Sequence, residues 1–396
     1  MFDTQMSGPK MFLMIAIGPV GLMAATGCGS NRPAGTPSSA VTATPSPAAA
    51  QVVLTATTRS PDGTVAELHI VRLDGSVSAS VAIPDTVWNT SLPVVGHHAY
   101  FVDGTTVKAV ASDGSVASVG TLMLPSRSSM YSLAVGIAIS PDESEIAYGY
   151  AVGVKASASG AAASTYASRV FVEPVGGSPH QLIDAPADAN GFLLPFAWST
   201  RGLWVTHTPI GLGGAGPFLN YQALNPSLVN PTTGAVGQMQ SSCRFPNATS
   251  VRPSGASACI VGELTTPRSV TVTLPDQSTR TLPDPAPSLQ VGDFAVRSDG
   301  ARVALSEAPQ EAAQGSWSYG AIQVGDSAAA TWSTVGPRGT LPVAWVDANR
   351  LLVGHTVGVN GPLGAFDGVF LLDITTGTET RIDSDPAALG ALPVTS

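Results

Sequence analysis

The sequence contains few charged residues and very little lysine. Charged residues make up 11% of the 396 residues, and lysine occurs only at positions 10, 108 and 155. The formal net charge is −9, and no cluster of Lys and Arg is present. Binding to nucleic acid requires such clusters to neutralise phosphates. The composition therefore predicts no nucleic acid partner. Apolar residues make up 44% of the chain, which predicts a folded protein rather than a disordered one.

The common catalytic and metal-binding motifs are also missing. The chain has no G-x-S-x-G nucleophile elbow, no H-E-x-x-H pair and no glycine-rich phosphate loop. The histidines show no tight metal spacing, and we expect His207 and His355, late in apolar runs, to be hydrogen-bonded structural residues. We predict no catalytic residue, no metal and no cofactor. If the protein is an enzyme, few loop residues could serve as catalytic groups, namely Glu307, Glu311, Asp367 and His355.

A short turn recurs seven times in place of helical periodicity. Each copy follows an apolar run and precedes a short polar or alternating run. The copies lie at residues 72–76, 111–115, 174–178, 230–235, 274–278, 324–328 and 374–378. This is the pattern of a β-hairpin repeated at a period near 50 residues, which is typical of a propeller.

The apolar runs predict blades of four antiparallel strands, lettered a to d. The second strands, b, begin near Val52, His98, Ile146, Leu203, Cys259, Val303 and Leu351. Their spacings of 44 to 57 residues predict an all-β, seven-bladed β-propeller over residues 51–396, with six or eight blades as alternatives.

The third blade resembles the TolB-like, WD-like propeller repeat. Its turn Ser140-Pro141-Asp142 matches the S-P-D-G signature of that family between strands a and b. The resemblance implies the propeller fold and says little about function. Asp142, Asp299 and Asp347 are accordingly expected to be turn residues. The similar segment 60–63 is expected to join strands b and c of the first blade.

The first blade has only three strands at the N-terminal end of the domain. Its strand a is missing, and the apolar segment 388–395 has no other role. We expect this C-terminal segment to insert as strand a and close the ring, since an open edge strand promotes aggregation.

The three cysteines fall into two groups. Cys243 and Cys259 lie 16 residues apart, and in an exported protein this predicts a disulfide, with a buried free pair as the alternative. A regular a–b hairpin would not place them opposite each other, so strand a of that blade must be irregular.

The remaining cysteine, Cys28, follows a short apolar run at 11–26 and the small residues Ala25-Thr26-Gly27. This resembles a bacterial lipobox, which implies cleavage before Cys28 and a diacylglycerol on its sulfur. We expect a signal peptide at 1–27, a Ser/Thr/Pro/Ala-rich tether at 28–50 and extracytoplasmic anchoring to the cell membrane. Translation could begin at Met1 or Met6.

The connections between strands b and c are uneven, and insertions on one face of a repeat protein often mark a binding surface. Six aromatic residues define this candidate binding face: Tyr166, Phe218, Tyr221, Trp317, Tyr319 and Phe366. Our leading hypothesis is an envelope lipoprotein that binds a protein or glycan partner there, more a scaffold than an enzyme. The alternatives are a propeller enzyme (hydrolase, lactonase or lyase) and a small-ligand sensor that uses the central channel.

Overall fold

The structure is a computed structural model, and it describes the strands and most tight turns of the domain. The described residues are 51–56, 65–84, 93–125, 132–154, 165–186, 192–208, 226–237, 243–244, 248–262, 268–285, 289–309, 319–356, 366–383 and 387–392. The predicted signal peptide, Cys28, the predicted tether and segment 60–63 lie outside these residues. No helix in the described part of the chain is long and apolar enough to span a membrane.

The described residues form β-strands and one 3₁₀ turn, at Ala248–Ser250. In chain order the first strands are β1 (Gln51–Ala56), β2 (Val65–Arg72), β3 (Val77–Pro84), β4 (Val94–Val95), β5 (His98–Asp103), β6 (Thr106–Ala111), β7 (Val116–Thr121), β8 (Ser132–Ile139), β9 (Glu145–Val154), β10 (Thr165–Pro174), β11 (His180–Pro186), β12 (Phe192–Ser199), β13 (Gly202–Thr208) and β14 (Ser227–Val229). The rest are β15 (Cys243–Arg244), β16 (Ser257–Val261), β17 (Ser269–Thr273), β18 (Thr279–Pro283), β19 (Leu289–Val296), β20 (Arg302–Pro309), β21 (Ile322–Asp326), β22 (Thr331–Val335), β23 (Thr340–Trp345), β24 (Arg350–Thr356), β25 (Phe366–Asp373), β26 (Glu379–Asp383) and β27 (Ala387–Leu392).

These strands form small antiparallel sheets in which neighbours in sequence are neighbours in space. Sheet 1 has the order β27-β1-β2-β3, and the following sheets comprise β4–β7, β8–β11, β12–β14, β15–β18, β19–β22 and β23–β26, numbered here sheets 2 to 7. The predicted second strands all occupy the second position of their sheets. In the third sheet Ile139 lies opposite Ile146, so the Ser140-Pro141-Asp142 turn joins the first and second strands, as predicted.

Apolar side chains pack between consecutive sheets and define an all-β propeller. Each pair of neighbouring sheets shares a buried cluster, which contains Tyr100 and Tyr148 (sheets 2 and 3), Val170 and Trp198 (3 and 4), Trp204 and Cys259 (4 and 5), Leu282 and Phe294 (5 and 6), Val324 and Trp345 (6 and 7), Leu352 and Val71 (7 and 1), and Leu68 and Phe101 (1 and 2). Because the last cluster returns to the first sheets, the core is a ring of interfaces with no free sheet face.

The prediction of four strands in every sheet is wrong for sheet 4, as far as the chain is described. Its third strand, β14, is followed by the turn 230–235 and then by a single bridge between Val229 and Val236. Gly237 comes next, and a Cβ there would lie 2.9 Å from the Leu228 carbonyl oxygen. The Gly237 N–H donates a hydrogen bond to that oxygen at 2.8 Å, so the pairing reaches Gly237, the last described residue of this segment.

The C-terminal strand closes the ring as predicted. β27 pairs antiparallel with β1, with Gln51 opposite Leu392 and Val53 opposite Gly390. Leu392 is fully buried in the cluster between sheets 1 and 2. The N-terminal and C-terminal ends of the domain therefore share one sheet.

The recurring turn is the hairpin between the third and fourth strands. In six copies an Asp or Asn side chain accepts a hydrogen bond from the backbone N–H two residues later, as between Asp74 and Ser76 at 2.9 Å. Asp142, Asp299 and Asp347 make the same bond in turns between first and second strands. These hydrogen bonds confirm that they are turn residues.

The disulfide between Cys243 and Cys259 is formed, with the Cα atoms 5.4 Å apart. Cys243 lies opposite Val261 in the ladder, so the disulfide spans a diagonal pair. As predicted, the first strand of this sheet is irregular, because β15 has only two residues and is followed by the 3₁₀ turn.

Deletion of residues 388–396 should destabilise the domain strongly, because it removes the first strand of sheet 1 and the buried Leu392. We expect the free energy of unfolding to fall by about 3 kcal/mol or more, the range found for the loss of one large buried side chain. Urea denaturation of both proteins measures this. Deletion of 394–396, which keeps β27 whole, is the matched control. Equal midpoints for the two truncations would contradict the closure.

Candidate functional site

The structure describes the candidate binding face only in part. Tyr166 pairs with Gly153 and Phe366 with Thr356, so both begin third strands where the b–c connections end. Phe218, Tyr221 and Trp317 lie outside the described residues. Tyr319 is described and half-buried, and it lies just before β21. Tyr319 is therefore the one residue of the candidate binding face whose side chain the structure describes.

The first strand of each sheet lies nearest the axis of the propeller. β8 contacts β12, β19 contacts β23, and β27 contacts both β23 and β4. Four of these inner strands carry a one-residue bulge, at Phe196, Asp293, Val343 and Leu389. A bulge redirects the side chain of its extra residue out of the regular pleat. At three of the four bulges that side chain is apolar, and at Asp293 it is a carboxylate.

The backbone of Asp293 is held in a conformation that few residues adopt. Its φ is +46°, in the left-handed region that non-glycine residues occupy at some cost. Neighbouring sheets stabilise the bulge from both sides. Thr249 donates a hydrogen bond to the Phe294 carbonyl oxygen, and the Trp345 indole N–H donates to the Ala295 carbonyl oxygen at 2.8 Å. Strain that the surroundings maintain in this way is typical of functional positions.

Burial raises the pKa of Asp293 to about 6, from an ordinary value of 3.8. Within the described part of the chain, no group donates a hydrogen bond to its carboxylate that would offset the burial. The charge of Asp293 in turn contributes to the raised pKa of Tyr319, about 12, although burial is the larger cause. Asp293 can therefore exchange a proton near neutral pH, whereas the nearby Tyr319 hydroxyl stays protonated there.

A second carboxyl, Glu307, lies near the same end of sheet 6. It is 7% exposed, and burial raises its pKa, with a smaller contribution from the charge of Asp284. Asp284 is itself in a buried ion pair with Arg268, whose Nε lies 2.6 Å from Oδ2. A hydrogen bond with the Gln323 side chain acts against this rise in pKa, but no cation among the described residues favours the ionised form of Glu307.

The Glu143 carboxylate has a structural role. It accepts hydrogen bonds from the backbone N–H of His97 at 2.7 Å, from the Tyr100 hydroxyl at 3.0 Å, and it contacts His98 Nδ1. Gly96 leaves the room for this approach, because a Cβ there would overlap the carboxylate. A carboxylate with this many partners links sheets 2 and 3 and has little capacity left for a ligand.

The other described histidine side chains with carboxylate contacts also look structural. His355 Nε2 lies 2.8 Å from Glu379 Oε2, and its ring stacks on Phe370 with 4.0 Å between centroids. His69 lies 3.1 Å from Glu67. The contacts of His355 agree with the structural role expected for it, whereas the side chain of His207 lies outside what the structure describes. Among the described residues no group of three or more His, Cys, Asp or Glu could hold a metal ion.

Our sequence reasoning missed Asp293. The signal that could have identified it is a charged residue within the apolar segment VGDFAV. The bulge, the positive φ and the approach of Tyr319 depend on contacts between sheets. A single sequence does not display such contacts.

Comparison with known proteins finds no matching family model and no matching curated protein. Solved structures of propeller-containing enzymes are similar in fold. An oligogalacturonate lyase from Vibrio parahaemolyticus has 11% identity and a TM-score of 0.47, over 83% of this chain and 89% of its own. A puromycin-hydrolysing peptidase from Mycobacterium tuberculosis has 12% identity and a TM-score of 0.47, over 85% of this chain and 54% of its own.

A third similar structure is a prolyl endopeptidase with 10% identity and a TM-score of 0.43, over 85% of this chain and 50% of its own. This chain thus spans about half the length of the peptidases it matches. At such low identities and TM-scores, the activities of these proteins carry no conclusion about this chain.

Proposed function

We propose that this chain is a propeller enzyme in which Asp293 transfers a proton beside the central channel. The observation that carries the proposal is the bulge at Asp293 in an inner strand. The backbone φ of this residue is +46°, and the pKa of its carboxyl is raised to about 6. A catalytic acid or base is most effective when its pKa lies near the working pH. The strained backbone and the shifted pKa occur together, as they do at many active sites.

The roles follow from the protonation states. Near pH 7 most Asp293 side chains are ionised, so Asp293 acts as a general base that takes a proton from water or from substrate carbon. Tyr319 remains protonated and donates a hydrogen bond to the oxygen on which negative charge develops. This pairing suits a hydrolase, lactonase or lyase, the three reaction classes expected from the sequence for an enzyme.

The same geometry favours a small substrate over a protein partner. The scaffold hypothesis rested on six aromatic residues. The one whose side chain is described, Tyr319, lies close enough to Asp293 for that charge to contribute to its raised pKa.

We count sheet 4 as a blade, which gives seven blades, and we keep the resemblance to the TolB-like repeat as a proposal. An envelope protein or glycan bound by the undescribed loops also remains a proposal.

We further propose that the enzyme works outside the cytoplasm, attached to the cell membrane by a diacylglycerol on Cys28. The support is the small-residue sequence before Cys28, the apolar run 11–26 and the tether at 28–50. The disulfide between Cys243 and Cys259 supports an oxidising compartment.

The raised pKa of Asp293 predicts a specific pH dependence of stability. Between pH 4 and 6 the unfolded chain ionises at this residue while the folded protein does not. Stability is therefore lost as the pH rises, by at most about 3 kcal/mol for a pKa moved from 3.8 to about 6. Asp293→Asn, which tolerates the same φ, should remove this loss. Urea denaturation at pH 4 and pH 7 measures it.

Asp299→Asn is the matched control in the same sheet. The hydrogen bond from Arg297 lowers the pKa of Asp299, with a smaller contribution from the Ala301 N–H. Its contribution to stability is therefore present above the unfolded pKa and is lost as the pH falls. Asp293→Asn should therefore remove the loss of stability between pH 4 and pH 7, whereas Asp299→Asn should keep it, because the contribution of Asp299 is lost mainly below pH 4. A parallel response would contradict the assignment of Asp293.

Loss of the Asp293 carboxylate should abolish activity. We expect kcat to fall by about 10²-fold or more in Asp293→Asn, as for other lost general bases, with KM changed far less. The assay is a panel of esters, lactones and acidic oligosaccharides, with kcat/KM followed against pH. Wild-type kcat/KM should rise with an apparent pKa near 6, and Asp299→Asn should match the wild type. Turnover of no substrate, or equal rates in Asp293→Asn, would contradict the enzyme proposal.

Cys28→Ala should abolish incorporation of labelled fatty acid and move the protein from the membrane fraction to the soluble fraction. The physical reason is that no other acyl chain would then hold the protein at the bilayer. Cys259→Ser is the control and should keep the label. Retention of label in Cys28→Ala would refute lipidation at this residue.

A further inference from the structure

A cavity of about 290 Å³ lies at the end of the propeller where turns join first strands to second strands, opposite the connections between second and third strands. Three consecutive turns form its walls, from sheets 5, 6 and 7, and Trp345 forms part of the wall between them. The Trp345 indole N–H already donates a hydrogen bond to the Ala295 carbonyl oxygen. The indole therefore presents mainly apolar surface to the cavity.

Hydrogen bonds between turns hold the walls of this cavity in place. The backbone N–H of Thr200, in sheet 4, donates to the Pro253 carbonyl oxygen at 2.9 Å. Ser254 donates to the Ser298 carbonyl oxygen, and Arg297 Nη1 donates to the Ala348 carbonyl oxygen at 3.1 Å. The turns of four consecutive sheets are thus connected, so the cavity is preformed.

Most charges around the cavity neutralise one another. Arg297 binds the Asp299 carboxylate with Nε and Nη2, at 2.8 and 2.6 Å. Asp347 is bound by Arg350 Nε at 2.6 Å and by the backbone N–H of Asn349. Each acidic side chain in the wall therefore has its own arginine.

Arg252 is the exception. Its Nε is inaccessible to solvent and has no hydrogen-bond partner, and its guanidinium forms no salt bridge within the described residues. Burial lowers its pKa, and no carboxylate acts against that shift. Arg252 as a whole is half-buried, and burial of a guanidinium without a counter-ion among the described residues carries a free-energy cost that a bound anion would offset.

We propose that this cavity binds a small organic monocarboxylate, held by the guanidinium of Arg252 and covered by the face of Trp345. The planar fork of a guanidinium matches a carboxylate with two parallel hydrogen bonds. With the Arg297–Asp299 and Asp347–Arg350 pairs neutral, the excess charge at the cavity is one positive charge, which suits a monoanion better than a phosphate dianion. The volume is at the lower limit for ligand pockets, which favours a small molecule.

This site does not rest on the proposed function: it lies at the turns that follow the inner strands, and Asp293 and Tyr319 do not line it, although its Trp345 hydrogen-bonds to Ala295 two residues beyond Asp293. A carboxylate bound here could regulate the protein or be its sensed ligand. Binding at Arg252 and proton transfer at Asp293 can therefore fail separately.

Thermal unfolding and calorimetry of the full chain with sodium benzoate at constant ionic strength test the proposal. We expect benzoate to raise the Tm of the wild type by several degrees and to bind at least about tenfold more weakly to Arg252→Gln. Without benzoate, Arg252→Gln should be at least as stable as the wild type, because an unpaired buried cation has been removed. Asp293→Asn should bind benzoate like the wild type.

Arg201→Gln is the matched control, since Arg201 lies in the equivalent turn of sheet 4, and burial also lowers its pKa. It lies over the Trp204 ring and does not line the cavity. It should keep wild-type affinity for benzoate. Equal affinities in Arg252→Gln and the wild type, or no benzoate binding to the wild type, would overturn the proposal. A stronger response to phosphate than to benzoate would overturn the choice of a monocarboxylate.

Discussion

The pairing of β27 with β1 is the interaction on which the rest of the structure depends. It places the two ends of the domain in one sheet, supplies the innermost strand of that sheet and buries Leu392 between sheets 1 and 2. Sheets in a propeller have no other partner for their apolar faces, so each interface requires the next one. The inner-strand bulges and the connected turns are positioned only once the ring is closed.

The two ends of the ring differ in how they are constrained. At one end, hydrogen bonds connect turn to turn, from Thr200 through Ser254 to Ala348, and Glu143 connects sheets 2 and 3 in a similar way. At the other end, connections of unequal length join second strands to third strands. A rigid end suits a preformed binding cavity, and variable connections suit the recognition of a substrate.

Charge is scarce in this chain, and many of the described aspartates lie in turns. The turn carboxylates accept hydrogen bonds from backbone N–H groups, which lowers the pKa of residues such as Asp113 and Asp373. Asp293 and Arg252 are different, since burial destabilises the charged form of each and no opposite charge compensates for it. Among the described residues these two charges lack an opposite charge, and the two proposals rest on them.

The repeated turns, the seven second strands, the C-terminal closing strand, the turn aspartates and the disulfide could all be predicted from the sequence. They depend on alternation, turn chemistry and cysteine count, which are local properties of the chain. For sheet 4 the structure describes three strands and a single bridge at Val236, a departure from the predicted four strands that the local turn pattern does not show. The two uncompensated charges were not predicted either, because a bulge, a shifted pKa and an unpaired guanidinium arise from what neighbouring sheets place around a residue. The sequence by itself determined a ring of hairpins, and the packing of that ring decided which charges remain without a partner.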